Sequence, residues 1–138
     1  MEKKDWIELV RQGNRGKFND LRCGHGPQSH VCVSPHPCID LGGCDFSGME
    51  LERFNFSGCN LRGANFEGCS LGGVDFDGAD IREVNFRNVR YEHCSFQGAD
   101  LRGADFRGAE EGYFSMVTNS DERVNIFEDA NTEGTLWS

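Results

Sequence analysis

From Ile39 to Gly108 the chain repeats apolar and polar residues with a period of five, for fourteen units without a slip. The central position of each unit, i, holds Leu41, Phe46, Leu51, Phe56, Leu61, Phe66, Leu71, Phe76, Ile81, Phe86, Tyr91, Phe96, Leu101 and Phe106. Position i−2 is smaller and mostly apolar, as in Cys44, Cys59, Ala64, Val74 and Ala99. Two apolar residues separated by one polar residue predict a short extended segment with both side chains on one face. Five is odd, so a straight strand would throw successive central residues onto opposite faces. The chain must therefore bend once per unit. Position i+2 supplies the bend, being Gly in ten of the fourteen units, because Gly accepts φ > 0 without a Cβ penalty. Arg53, Glu83, Asn88 and His93 are the exceptions, and a different turn is expected at those corners.

A chain that bends the same way every five residues coils into a tube, and its units bury their apolar faces only by stacking. The expected class is therefore an all-β solenoid. Units such as Ala64-Asn65-Phe66-Glu67-Gly68 and Ala99-Asp100-Leu101-Arg102-Gly103 follow A(D/N)(L/F)xG over about half the chain. They resemble the pentapeptide-repeat family. That resemblance implies a right-handed quadrilateral β-helix with four units per coil, the coils about 4.8 Å apart as paired strands are. Residues twenty apart then stack. Leu41, Leu61, Ile81 and Leu101 form one row; Phe46, Phe66, Phe86 and Phe106 the next. Leu51, Leu71 and Tyr91 form a third, and Phe56, Phe76 and Phe96 the fourth. Aliphatic and aromatic rows alternate, so like packs on like. The Tyr91 hydroxyl needs a polar partner.

The flanks divide the chain further. Residues 1–22 read as a short N-terminal α-helical cap. Asp5-Trp6-Ile7-Glu8 has the form of a capping box with Asp5 as N-cap. Trp6, Leu9 and Val10 make an apolar stripe, and Gly13 is a helix stop. A second helical turn is expected over Lys17–Arg22, ending at Gly24. An open coil end is a strand edge over a bare apolar plug, and Trp6, Val10, Phe18 and Leu21 are expected to seal it. Residues 23–38 are a Cys/His/Pro-rich lead-in loop, and residues 39–116 the β-helix. Glu111 puts a charge at a central position, and Phe114 and Met116 recover the pattern for one unit. Val124–Phe127 resembles another unit, and Ala130–Gly134 a further one, shifted by one residue. Residues 117–138 are therefore read as an irregular last coil closed by Phe127, Leu136 and Trp137, with a C-terminal helix from about Asp121 as the alternative.

Composition narrows the function classes. The net charge is −9, which argues against direct nucleic-acid binding. On the Leu41 side, Arg62, Arg82 and Arg102 stack beside Asp80 and Asp100 and are expected to neutralise one another. The Phe56 side carries Asp75 and Asp77 with no base beside them. No apolar run is long enough to span a membrane, and the first residues lack a signal-peptide core, so a cytoplasmic location is expected. Cys44, Cys59, Cys69 and Cys94 all occupy i−2, and no two lie twenty apart. They are read as small buried hydrophobes in a reduced compartment rather than as disulfides. Cys23, His25, His30, Cys32, His36 and Cys38 have zinc-ligand chemistry, but no close cysteine pair such as CxxC appears. The plain reading is a polar loop without a cofactor, and zinc is the alternative. His93, beside Glu92 and near Arg90, is the lone histidine of the repeat. No nucleophile with an orienting partner accompanies it.

These features predict a non-catalytic scaffold for a protein partner, as a monomer or an end-to-end dimer. Two alternatives stay open: a zinc-binding interaction module through residues 23–38, or an acidic DNA mimic directed at DNA gyrase. The second comes from the family resemblance. Against it stand a strict repeat giving only about 17 Å of rise and the interrupting arginines.

Overall fold

A computed structural model describes residues 2–23, 39–111 and 129–137. Two helices, α1 (Lys3–Arg11) and α2 (Arg15–Cys23), precede four short strands: β1 (Glu50–Glu52), β2 (Ser70–Gly72), β3 (Arg90–Glu92) and β4 (Glu110–Glu111). The strands form one parallel sheet in the order β1-β2-β3-β4. Glu50 pairs with Ser70, Ser70 with Arg90 and Arg90 with Glu110. The same step of twenty recurs outside the sheet, in bridges such as Asp40 with Asn60, Asp45 with Asn65 and Asn55 with Asp75. One turn of the coil thus takes four five-residue units.

All four corner exceptions keep the glycine turn. Arg53, Glu83, Asn88 and His93 have φ of 56°, 59°, 59° and 54°, beside 65° at Gly58 and 71° at Gly63. No different turn is used there, contrary to the sequence expectation. The cause lies in the ladder. The i+2 N–H donates to the i+1 carbonyl of the coil above, at 2.9 Å for Gly43 to Arg62, 2.7 Å for Arg53 to Gly72 and 3.0 Å for Glu83 to Arg102. That bond dictates the backbone whatever residue fills the corner.

Apart from Tyr91, which is partly buried, every central residue is buried, most of them completely. Along the Phe46 row the rings stand 5.2, 5.3 and 4.7 Å apart. Along the Phe56 row they stack at 5.6 and 5.0 Å. The two rows also meet across the tube. Phe66 is edge-on to Phe76 at 5.8 Å and Phe76 edge-on to Phe86 at 5.6 Å. Stacking along each row and edge-to-face contact between rows both suit the aromatic quadrupole.

Helix α1 starts one turn earlier than Asp5 predicts. Glu2 is its N-cap, and Asp5 is the third helical residue, whose carboxylate accepts the Glu2 N–H at 2.8 Å. Glu8 sits mid-helix instead and accepts from Gln12 Nε2 at 2.9 Å. Gly13 ends the helix at φ 66°. Asn14 then caps α2 by accepting the Lys17 N–H at 3.2 Å, so α2 begins at Arg15. Val10 and Phe18 are fully buried and Leu9 nearly so. Phe18 lies edge-on to Phe54 and Phe56, both at 5.4 Å, with Trp6 edge-on behind it. Leu21 does not join them and is 40% exposed. Asn19 faces the coil, and two residues further on the helix has turned about 200°.

At the other end Asn131 bridges to Asp100 and Leu136 to Asp105, thirty-one residues apart where the other bridges among the described residues are twenty. That step resolves the shifted register of Ala130–Gly134. The unit seats on the Leu41 row, with the Thr135 hydroxyl donating to the Leu101 carbonyl at 2.8 Å. Trp137 tops the Phe46 row, stacked on Phe106 at 5.1 Å. Leu136 takes the outward position and is 46% exposed, so it closes nothing. Phe114, Met116 and Phe127 lie outside the described residues, as does most of the alternative helix from Asp121; Asn131 and Leu136 are in bridges, not helical.

Candidate interaction faces

With the interior filled, chemistry is left to positions i−1, i+1 and i+2. Most i−1 residues are Asp or Asn, and their side-chain oxygens accept the N–H two residues on. The distances are 2.9 Å for Asp40 to Gly42, 3.0 Å for Asn65 to Glu67 and 2.8 Å for Asp75 to Asp77. This Asx geometry stiffens those turns; the Leu51 row, with Glu50, Ser70 and Arg90 at i−1, lacks it.

Where Asp at i−1 is followed by Arg at i+1, a fork closes around the central residue. Arg82 grips Asp80 through Nε at 2.8 Å and Nη2 at 2.7 Å. Arg102 grips Asp100 at 2.9 and 2.6 Å, and Arg107 grips Asp105 at 3.0 and 2.7 Å. Arg82 also reaches Asp100 on the next coil at 3.8 Å, and Arg87 reaches Asp105 at 3.9 Å. The hydrogen bond from Arg82 is the main reason that the Asp80 carboxyl titrates below its ordinary range; Arg102 does the same for Asp100 and Arg107 for Asp105. The ladder on the Leu41 row was expected; Arg62 joins it by pairing with Glu83 at 3.3 Å. The second ladder, on the Phe46 row, was missed, although the Asp-x-Arg spelling of Asp105-Phe106-Arg107 marks it.

The other two rows differ. The Leu51 row presents Glu50, Glu52, Glu92 and Glu110 with Arg53 and Arg90, and Glu52 is paired to Arg15 at 3.3 Å. The Phe56 row presents Asp75 and Asp77. Asp77 is turned along the coil, accepting from the Ser95 hydroxyl and from the Gln97 N–H at 2.9 Å.

Cys44, Cys59, Cys69 and Cys94 are buried and stand outside any disulfide. The Cys69 thiol donates to the Phe46 carbonyl at 2.9 Å, and burial pushes it up to about 11, as it does Cys94. Of the zinc candidates, only the Cys23 backbone, ending α2, is described; Cys23's side chain and His25, His30, Cys32, His36 and Cys38 lie outside. Among the described residues no group of three His, Cys, Asp or Glu is placed to hold a metal, and no helix is long and apolar enough to cross a membrane. His93 sits exposed at its left-handed corner.

Comparison with curated protein sequences returns no match. Among solved structures, the chain is similar to QnrB1, a plasmid-mediated fluoroquinolone resistance protein, at 20% identity and TM-score 0.43 over 71% of this chain and 55% of that one. It is similar to a pentapeptide repeat protein of the Arabidopsis thaliana thylakoid lumen at 33% identity and TM-score 0.24, over 51% of this chain and 60% of that one. A third is the pentapeptide repeat protein Rfr23 of the cyanobacterium Cyanothece, at 18% identity and TM-score 0.27, over 72% of this chain and 91% of that one. The family model for the pentapeptide repeat region matches residues 38–113, the same stretch that coils with a twenty-residue turn, and the chain belongs to the pentapeptide repeat family.

Proposed function

We propose that the chain is a non-catalytic scaffold whose outer faces bind a protein partner carrying basic side chains. One observation carries this reading: charge is segregated by row. The Leu41 and Phe46 rows tie Arg82, Arg102 and Arg107 to aspartates in forks. The Leu51 row keeps four glutamates against two arginines of its own, Arg53 and Arg90. A basic surface would meet those glutamates without first breaking a fork. The test is capture with the tagged full chain and with a Glu50→Gln, Glu92→Gln, Glu110→Gln variant. The wild type should retain a partner that the variant loses. Equal retention by both, or no specific partner for either, would overturn the reading.

The same segregation supports a second reading, an acidic mimic of DNA acting on DNA gyrase. A supercoiling assay separates the two, since a mimic inhibits purified gyrase at micromolar protein and a scaffold for another partner does not. We also propose that the cross-section is four-sided and right-handed and that α1 and α2 form an end cap. Four units per turn support the first, family membership the hand, and the burial of Phe18 against the first coil the cap. Buried cysteines outside any disulfide fit a reducing, cytoplasmic setting.

A further inference from the structure

On the sheet face of the Leu51 row, β2 sets only Ser70 and Gly72 outward, between Glu50 and Glu52 on β1 and Arg90 and Glu92 on β3. The β2 rung is thus a trough, floored by the strand and walled by longer side chains on both sides. Its walls stand two rungs apart, about 9.6 Å. Arg53 leans over one end, where a Cβ at Gly73 would touch its Cγ at 3.5 Å. The backbone does not require the glycine at position 72. Its φ lies outside the left-handed region, and an added Cβ would meet only Glu52 Cγ, at an ordinary 3.6 Å. The fold would accept a side chain there, and the glycine keeps the trough open. Among the described residues no ion pair engages the Glu50 or Glu92 carboxylate, and Arg15 of α2 reaches Glu52 through Oε2 alone, at 3.3 Å. The lower wall therefore already takes a guanidinium from a segment packed against it.

We propose that this trough seats an extended segment of the protein partner, with lysine or arginine at alternate positions. The inference rests on the scaffold reading and names the part of the partner that is read. The width selects an extended chain. An α-helix with its side chains is about 10–12 Å across and would ride over the walls, whereas a strand takes one rung of about 4.8 Å. The lower wall selects alternation. Glu50 and Glu52 are two residues apart on β1, about 6.6 Å in extended chain, and alternate side chains of a segment lying along β2 repeat at the same interval. Two basic residues at that spacing meet both carboxylates together. The residue between them turns to the upper wall, where Arg90 and Glu92 offset each other in charge. Adjacent basic residues would send one to each wall, and the one on the upper wall would face Arg90 as well as Glu92.

Fluorescence anisotropy with two labelled peptides of one composition is the test: Gly-Ser-Arg-Ser-Arg-Ser-Gly and Gly-Ser-Arg-Arg-Ser-Ser-Gly. At about 0.15 M salt, where exposed charges more than about 8 Å apart are screened, the full chain should bind the alternating peptide about tenfold more tightly than the adjacent one. Gly72→Gln fills the trough without straining the backbone and should remove that preference while the circular dichroism stays unchanged. Ser47→Gln, which sets the same side chain outward on the Phe46 row, should retain it. Equal binding of the two peptides overturns the proposal, and so does a preference that survives Gly72→Gln. Binding that ignores the spacing yet falls in the Glu50→Gln, Glu92→Gln, Glu110→Gln variant refutes the trough and leaves the scaffold reading standing. Failure of both peptides to bind also refutes the trough, and capture with the tagged full chain then judges the scaffold reading by itself.

Discussion

At the scale of single residues, the corner position shows how a backbone demand outranks side-chain preference. A left-handed φ costs a non-glycine residue roughly 1–2 kcal/mol, yet Arg53, Glu83 and Asn88 accept it. Their side chains then lie over the glycine one coil on. A Cβ at Gly73 would touch Arg53 Cγ at 3.5 Å, one at Gly103 would touch Glu83 Cγ at 3.4 Å, and one at Gly108 would overlap Asn88 Oδ1. The first two are ordinary contacts, so of these three corners only Gly108 is crowded by the filled one below it. Gly58→Ala, with open space at φ 65°, should lose about 1–2 kcal/mol from the backbone alone. Gly108→Ala should lose clearly more, and Asn88→Gly in the same chain should bring it back to the Gly58→Ala level. Urea unfolding of the variants checks this, and equal losses at Gly58 and Gly108 would refute it. The thiols give a second test at this scale. A buried thiol held near 11 offers almost no thiolate at neutral pH. Cys69 and Cys94 should resist iodoacetamide at pH 8 until denaturant is added, as peptide mass mapping would show; labelling in the native state would contradict their burial.

At the scale of elements, two ladders do different work. The interlocked phenylalanine rows hold the interior: Phe76 stacks on Phe56 and Phe96 and meets Phe66 and Phe86 edge-on. Phe76→Ala should cost about 3–5 kcal/mol, read as a lower denaturation midpoint; a loss under about 1 kcal/mol would mean that the rows are not coupled. The Asp-Arg forks hold the surface. Asp80, Asp100 and Asp105 have folded-state affinities for protons below those of an unfolded aspartate, so the unfolded chain binds protons first as pH falls. The fork contribution is complete above the ordinary aspartate value of about 3.9 and is lost as pH drops through the lower folded values. The wild-type melting temperature should therefore fall below pH 4 more steeply than that of an Arg82→Gln, Arg102→Gln variant; parallel curves would exclude the forks as the cause. The rows themselves were readable in the sequence, because a five-residue period fixes which residues face inward once the turn holds twenty. The meeting of the two phenylalanine rows was not, since periodicity records neighbours along the coil and is silent about distance across it. Nor was the start of α1, because Asp5 can serve as N-cap or as third residue of a box, and only the Glu2 N–H decides between them. Leu21 was misplaced for a related reason: apolar spacing proposed a face that the polar Asn19 in fact occupies.

For the whole molecule, the stack is addressed by position in space rather than by residue number. Asp100 and Asn131 sit one turn apart although thirty-one residues separate them. Growth and ornament are therefore independent in this architecture. Duplicating a complete turn lengthens the rod. The eleven residues by which that step exceeds a full turn leave Asn131 and Leu136 on the next rung all the same, so chain length and height along the rod are not tied one to one.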